Sequence, residues 1–143
     1  MAEAMIKPLT NSNLFAHKPE ILFTEPSKIT RDKISSRFPS TKDCTGRLAE
    51  AITGRHLDMC VVAVKPQNVT DLFGTLRPAL DGLTNSPTVL SICAGVPIST
   101  FTAGLGTNKV FRSMPNTPAM IERGVTVWSA CKDASFSAEE TDL

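Results

Sequence analysis

The sequence predicts an α/β fold in which a mostly parallel sheet carries helices on both faces. Two apolar runs, Met59–Val64 and Thr88–Cys93, read as strands, and such continuous runs are typical of strands buried on both faces of a parallel sheet. Between them, apolar residues recur at helical spacing from Val69 to Leu80. Because strand, helix and strand alternate with short connections, we expect right-handed crossovers and a helix-covered sheet.

The first third of the chain carries weaker signals of the same kind. Ile21–Thr24 predicts a short strand that ends before a proline. Ser27 is a suitable cap for a helix that runs to about Phe38. The apolar spacing of Leu48–Ile52 predicts a short helix, and Gly54 is placed to end it.

The last third of the chain completes the alternation. Pro78 is expected to distort or end the last turn of the helix that begins near Val69. A helix is predicted from about Ile98 to Leu105, and strands are predicted at Lys109–Arg112 and Thr126–Trp128. Trp128 is interpreted as a packing residue of the last strand.

Composition limits the class of protein. A chain of 143 residues with 41% hydrophobic residues fits one packed domain, and a net charge of +1 does not suit a general nucleic-acid binder. Four cysteines without a C-x-x-C pair, and only two histidines, predict no metal site and buried free thiols. The apolar runs are too short to cross a membrane, and no signal peptide opens the chain, which favours the cytoplasm.

Both ends of the sequence have features typical of a fragment of a longer protein. Ala2–Leu9 has helical composition but no preceding cap or strand. Ser137 and Glu140 form a capping box, which predicts a helix only a few residues before Leu143. Frayed termini are the simple alternative, but the two features together favour a fragment of a longer protein.

Three segments follow predicted strands, and in open parallel sheets ligands bind beyond the carboxyl ends of the strands. Ala63–Pro66 places a small residue, a lysine suited to phosphate and a rigid proline after the first buried strand. Ser91–Gly95 ends the second strand with residues small enough for a flat ring to lie against the backbone. Arg112–Pro118 is a proline-stiffened loop that presents an amide and a hydroxyl. A solvated lysine, a glycine turn and ordinary turn chemistry are the alternatives.

Two further features are set aside as ligand sites. Gly104-Leu105-Gly106 contains a G-x-G pattern, but it follows a helix instead of a strand, so it is not a phosphate loop. His17 and His56 have no partner at catalytic spacing and are expected to be exposed.

In this order, the motifs resemble those of the pyrroline-5-carboxylate reductases. The segments that carry the resemblance are Ala63-Val64-Lys65-Pro66-Gln67, Ala94-Gly95-Val96, Met114-Pro115-Asn116-Thr117-Pro118-Ala119 and Gly124-Val125-Thr126-Val127, with an opening, Met1–Lys7, similar to the start of the family's first helix. Each segment is weakly specific alone, and the combination covers nearly the whole chain. The resemblance implies a Rossmann-like sheet that is incomplete at its N-terminus.

The resemblance implies an oxidoreductase of proline biosynthesis. The family reduces the cyclic imine Δ1-pyrroline-5-carboxylate to L-proline with hydride from NADPH or NADH. The resemblance implies that two segments contact the cofactor. The first is Ala63, Val64, Lys65 and Pro66, and the second is Cys93, Ala94 and Gly95. Asn116 and Thr117 would lie beside the substrate, and no residue is identified as a general acid.

Departures from the family pattern leave alternatives open. All eight glycines lie at or after Gly46, so no G-x-G loop follows an early strand. Pro8 is expected to interrupt the first helix. Glu25, where the family commonly has a residue for the 2′-phosphate, favours NADH, whereas Ser27, Lys28 and Arg31 favour NADPH, so the preference between NAD and NADP stays undecided.

The expected organisation follows from these departures. Residues 1–130 are predicted to be a partial dinucleotide-binding domain, and residues 131–143 a linker and the start of a truncated helical dimerisation domain. The full-length form is expected to be a homo-oligomer without membrane or nucleic-acid partners, and the isolated chain is expected to be inactive. A non-catalytic interaction module, a hydroxy-acid dehydrogenase of the same superfamily and a mitochondrial location are the alternatives.

Overall fold

The computed structural model describes residues 2–11, 17–116, 118, 121 and 123–134. Its helices are α1 (Ala2–Asn11), α2 (Lys28–Arg37), α3 (Leu48–Ile52), α4 (Val69–Asp81) and α5 (Ile98–Leu105). Its strands are β1 (Ile21–Phe23), β2 (Thr41–Asp43), β3 (Met59–Val62), β4 (Thr88–Ser91), β5 (Val110–Pro115) and β6 (Thr126–Ala130). None of the described helices combines the length and the apolar character needed to cross a bilayer.

The strands form two sheets, and their pairing confirms the predicted fold class. β1 pairs with β2 in parallel. The larger sheet has the order β3-β4-β5-β6, in which β3, β4 and β5 are parallel and β6 is antiparallel to β5. β2 was not predicted, because Thr41-Lys42-Asp43 has no apolar residue and so no strand signal.

The main core lies between the larger sheet and helices α4 and α5. Its buried members are Val62, Val69, Leu76, Val89, Cys93, Phe101, Leu105 and Val110. Phe101 is 0% exposed, and its ring meets Phe73 edge to face at 5.8 Å between centroids. This packing holds both helices against the strands whose carboxyl ends carry the candidate site.

The prediction that Met59–Val64 is a strand buried on both faces is wrong. The strand ends at Val62, and Met59 and Val61 are 36% and 39% exposed. β3 pairs only with β4, and β1 pairs only with β2, so within the described chain each has one unpaired edge. The apolar sequence of β3 is therefore that of an interior strand, although the strand lies at an edge.

The two prolines expected to break helices lie inside them. α1 continues past Pro8 to Asn11, and the Thr10 hydroxyl donates to the carbonyl oxygens of Ile6 (3.2 Å) and Lys7 (3.0 Å). α4 continues past Pro78 to Asp81.

Predicted caps are confirmed at α2 and α3. The Ser27 hydroxyl accepts the amide of Thr30 at 3.4 Å, and Phe38 is the C-cap of α2. Gly54 follows α3 with a φ of 73°, a conformation that favours glycine. The carboxylate of Glu20 links Lys42 in β2 to Arg55, which follows α3, and these two hydrogen bonds lower the pKa of Glu20.

Gly104 provides a direct test of the packing between α4 and α5. A Cβ at this position would lie 2.2 Å from Cδ2 of Phe73, so the ring would have to move away from Phe101. We expect Gly104→Ala to lower the free energy of unfolding by about 1–3 kcal/mol. Gly74→Ala in α4 is the matched control, since its Cβ would meet nothing within 4 Å; it should raise stability by up to about 1 kcal/mol. Urea unfolding would measure the free energy of unfolding of both variants. Equal changes in the two variants would contradict the close packing of Gly104 on Phe73.

Candidate functional site

The carboxyl ends of β3 and β4 meet at one rim of the larger sheet. The amide of Ile92 donates to the carbonyl oxygen of Val62 at 3.0 Å, just beyond the parallel ladder. The Cys93 thiol then donates to the carbonyl oxygens of Val64 at 3.3 Å and Val62 at 3.5 Å. Ala63–Pro66 and Cys93–Gly95, which are far apart in sequence, are therefore neighbours.

The surface of this rim is mostly bare backbone. Ala63, Lys65, Ala94 and Gly95 are exposed. Gly95 has a φ of 74°, and a Cβ at this residue would meet nothing within 4 Å. A flat ligand could therefore approach the peptide units without meeting a large side chain.

Pro66 fixes how the chain leaves this rim. It begins a 3₁₀ turn, Pro66–Asn68, which leads directly into α4. The carbonyl oxygen of Lys65 accepts the amide of Asn68 at 2.9 Å. Lys65 thus lies in extended conformation at the junction of β3 and α4, with its side chain exposed.

The thiol of Cys93 links the two segments of the rim by hydrogen bonds and is not suited to act as a nucleophile. Cys93 is buried, and its backbone amide donates to the Ser91 hydroxyl oxygen at 3.2 Å. Burial raises the pKa of the Cys93 thiol, so at neutral pH it is protonated and available as a donor. Burial also raises the pKa of the Cys60 thiol, to about 11.

These raised thiol pKa values predict a loss of stability in base. A thiol that ionises at about pH 11 when folded and near pH 9 when unfolded favours folding fully below pH 9. The contribution of Cys60 should therefore disappear as the pH rises from 9 to about 11. Urea unfolding of the wild type and Cys60→Ala at several pH values would test this, with the two curves converging in base. A constant stability difference across that range would contradict the prediction.

β5 ends at the same edge of the larger sheet, because it is parallel to β4. Asn116, predicted to lie beside the substrate, follows β5 directly, and its side-chain oxygen accepts the amide of Val125 at 3.0 Å. The backbone amide of Asn116 also donates to the carbonyl oxygen of Val125 at 3.3 Å. Asn116 therefore closes the connection between β5 and β6, while Thr117 lies outside the described residues.

Arg112 is a site feature that the sequence interpretation did not single out. Its Nε is buried and has no hydrogen-bond partner among the described residues. Arg112 is the register partner of Ser91 in β4, so it lies two residues below the rim. A charged residue between the apolar Val110-Phe111 pair and Ser113 in β5 was the available signal.

Glu25 lies at the carboxyl end of β1, in the smaller sheet. Its amide donates to the hydroxyl oxygen of Thr45, which follows β2, at 2.9 Å. The predicted cofactor residues therefore form two groups. Ala63–Pro66 and Cys93–Gly95 follow β3 and β4 of the larger sheet, whereas Glu25 follows β1 of the smaller sheet.

The features set aside in the sequence remain outside the site. Gly106 is the left-handed C-cap of α5, so the G-x-G pattern ends a helix. His17 and His56 are exposed, and His56 Nδ1 lies 3.6 Å from the exposed carboxylate of Asp58. Trp128 packs edge to face on Phe111 at 5.5 Å but remains 58% exposed. The described residues contain no cluster of potential metal ligands.

Comparison with known proteins finds similarity to pyrroline-5-carboxylate reductases. The chain is 30% identical over 132 residues to the pyrroline-5-carboxylate reductase of Synechocystis, covering 92% of this chain and 46% of that protein. It is 34% identical over 108 residues to the Pseudomonas aeruginosa enzyme, covering 75% and 37%. No family model matches.

Solved structures give the same fold. The pyrroline-5-carboxylate reductase of Coxiella burnetii aligns over 94% of this chain and 47% of its own, with a TM-score of 0.73 at 23% identity. The pyrroline carboxylate reductase of Plasmodium falciparum, solved with NADP bound, aligns over 93% and 45%, with a TM-score of 0.66 at 23% identity.

The fold and its strand-end rim define a Rossmann-like α/β domain. Within this class of fold, the curated relatives indicate the family. The chain belongs to the pyrroline-5-carboxylate reductase family, and it spans about half the length of the curated relatives that it matches.

Proposed function

We propose that this chain supplies the dinucleotide-binding rim of a reductase that transfers hydride from NADH or NADPH to Δ1-pyrroline-5-carboxylate and forms L-proline. The observation that carries the proposal is the thiol-to-carbonyl hydrogen bond of 3.3 Å from Cys93 to Val64, which joins the two predicted cofactor segments. Without that juxtaposition, no single surface could hold an extended dinucleotide along both segments.

The rim residues suit the parts of such a ligand. The exposed backbone at Ala63, Ala94 and Gly95 leaves room for a flat ring, and Lys65 offers a compact positive charge for a phosphate. A bound nicotinamide would supply the hydride. The residues that follow β5, Asn116 and Thr117, are proposed to lie beside the imine. A protonated imine is already electrophilic, so the chain needs to orient it more than to protonate it.

Removal of the Lys65 charge tests the proposal. We expect Lys65→Ala to weaken NADH binding by about twofold to fivefold, because an exposed charge–phosphate contact contributes up to about 1 kcal/mol. Lys65→Arg should retain most of the affinity, and Lys18→Ala, at another exposed lysine, should leave it unchanged. Titration followed by amide chemical shifts would measure all three. Equal affinities in wild type and Lys65→Ala would contradict the role of Lys65.

The proposal extends to the longer protein. Because the chain spans about half of its relatives, we propose that further polypeptide completes the substrate pocket and forms a homo-oligomer. In this proposal residues 1–130 are the partial dinucleotide-binding domain, residues 131–143 lead into the helical dimerisation domain, and the isolated chain is inactive. A cytoplasmic location remains a prediction, with the mitochondrion as its alternative.

A non-catalytic interaction module is the second candidate. The open edges of β1 and β3, with Met59 and Val61 exposed, favour this candidate because an unpaired edge is a template for another strand. The two candidates differ in ligand binding. Shifts of the amides near Ala63 and Ala94 on addition of NADH would support the reductase, whereas association with a protein partner without any nucleotide response would support the module.

A further inference from the structure

We infer that the open edge of β6 is a self-association surface, at which two copies of this chain pair their β6 strands antiparallel about Trp128. β6 is the last strand of the larger sheet, and no strand of the described chain pairs with its outer edge. The inference does not depend on the proposed function, because it concerns the strand at the far edge of the sheet from β3. A second copy is the occupant that the backbone, the side chains and the flanking charges of β6 fit.

The backbone groups that face this open edge follow from the pairing of β6 with β5. The amide of Cys131 donates to the carbonyl oxygen of Val110 at 2.9 Å, and the amide of Asn116 donates to that of Val125 at 3.3 Å. These bonds mark hydrogen-bonded pairs at the two ends of the ladder, and in antiparallel strands such pairs alternate with pairs that do not bond to each other. Three residues of β6 fall in the pairs that do not bond, so their amide and carbonyl groups face outward. They are Thr126, Trp128 and Ala130.

β6 has none of the features that protect an edge strand from another strand. Natural edge strands carry charged side chains, prolines or bulges that discourage pairing. β6 has no charged residue and no proline, and the side chains of Val127 and Trp128 are 70% and 58% exposed. The outer edge of β2 differs, because that strand contains the charged residues Lys42 and Asp43. Of these two outer edges, that of β6 is the one suited to accept a strand.

An antiparallel pair of β6 strands centred on Trp128 uses all of the outward backbone groups. In this register Trp128 lies opposite Trp128 of the second copy, and Thr126 lies opposite Ala130. Every outward amide and carbonyl group therefore gains a partner. The two indole rings lie side by side on the face of the joined sheet where each already meets Phe111. Because the two-fold axis makes the contact closed, association stops at the dimer.

The charges that flank β6 fit the same register. Arg123 lies three residues before the strand, Asp133 lies three residues after it, and both are exposed. Because the strands run antiparallel about a common centre, Arg123 of each copy comes near Asp133 of the other. Lys132 falls opposite Gly124, so no like charges meet. Complementary charges at the margin of an interface favour one register over others.

Hydrogen exchange and the oligomeric state test this surface together. In the monomer, the alternation predicts slow exchange of the Val127 and Ser129 amides, which bond to β5, and fast exchange of the Trp128 amide. A single pair of strands is smaller than a standard interface, so we expect a dissociation constant of about 100 μM. As the concentration rises through this range, the mass measured by light scattering should approach twice that of the chain. The Trp128 amide should become protected over the same range.

Two kinds of variant separate the edge from the rest of the fold. Ala130→Pro removes an outward amide and leaves the bonds to β5 in place, so it should weaken dimerisation at least about tenfold and keep the monomer folded. Arg123→Asp places like charges side by side and should weaken dimerisation by about fivefold. Addition of Asp133→Arg to that variant should restore the affinity. Lys18→Asp, at an exposed lysine outside β6, is the control and should leave the affinity unchanged.

Each contrary outcome would overturn the inference. A chain that stays monomeric at millimolar concentration would do so, and so would a dimer whose affinity is unchanged in both Ala130→Pro and Arg123→Asp. Protection of the Trp128 amide that does not depend on concentration would show a strand of the same chain on this edge, and the second copy would not be its occupant. The proposed function of the rim stands in all of these cases.

Discussion

An N-terminal extension that provides an apolar strand to pair with the open edges of β1 and β3, followed by a Gly-x-Gly loop, is expected to tighten NADH binding by the chain at least about a hundredfold. β1 and β3 each have an unpaired edge, and the chain as given has no glycine before Gly46. The loop would place the pyrophosphate on a helix N-terminus, which is the main phosphate contact of such folds. Binding by the unextended chain should be in the millimolar range.

The same extension should also stabilise the fold. A central strand buries about four apolar side chains at 1.5–3 kcal/mol each, so we expect the free energy of unfolding to rise by roughly 6–12 kcal/mol. Isothermal titration with NADH and thermal unfolding would measure the two effects. An extension whose loop glycines are replaced by valine is the control, because it should keep the added stability and lose the added affinity. Micromolar NADH or NADPH binding by the unextended chain would contradict this account.

The second large effect is expected at Phe101, the aromatic residue at the centre of the core. Phe101→Ala removes a fully buried ring from the contact between α5 and the sheet, together with its edge contact to Phe73. We expect a loss of about 3–5 kcal/mol, which is a large part of the total stability of a domain of this size. Because α5 follows the Cys93–Gly95 segment, the same change should weaken NADH binding.

Trp128→Ala is the control for the Phe101 experiment. It removes a larger ring, but one that is 58% exposed and meets Phe111 edge to face. We expect a loss of less than about half that of Phe101→Ala, mostly from the aromatic contact itself. Urea unfolding followed by circular dichroism avoids any dependence on tryptophan fluorescence. A larger loss at Trp128 than at Phe101 would mean that the core lies elsewhere.

The sequence predicted most of the larger sheet because its elements carry their own signals. The apolar runs at β3 and β4, the helical spacing of α4 and the cap at Ser27 are local patterns, and the structure confirms the two strands, the helix and the cap, although β3 is shorter and more exposed than predicted. The neighbourhood of Ala63–Pro66 and Cys93–Gly95 followed from the general rule that parallel strands share an edge. Their contact with a cofactor stays a prediction.

Features that depend on tertiary neighbours could not be predicted from local sequence. β2 has no apolar residue and forms only because β1 pairs with it. Pro78 was expected to distort or end the last turn of α4, but the helix continues past it to Asp81. Met59 and Val61 are exposed because one face of β3 is uncovered, which the Val-rich sequence does not reveal. The ion pair of Arg31 depends on Asp43, which is twelve positions away and in another element.

The most direct test of the central claim is an amide chemical-shift map of the 143-residue chain with millimolar NADH. The account predicts that the largest shifts fall at Ala63–Lys65 and Ala94–Val96 together, with smaller ones near Glu25 and Thr45. Residues at the opposite end of the larger sheet, such as Ser86 and Thr107, should not respond. Shifts confined to one of the two rim segments, or centred on Ser86 and Thr107, would show that no dinucleotide spans this rim.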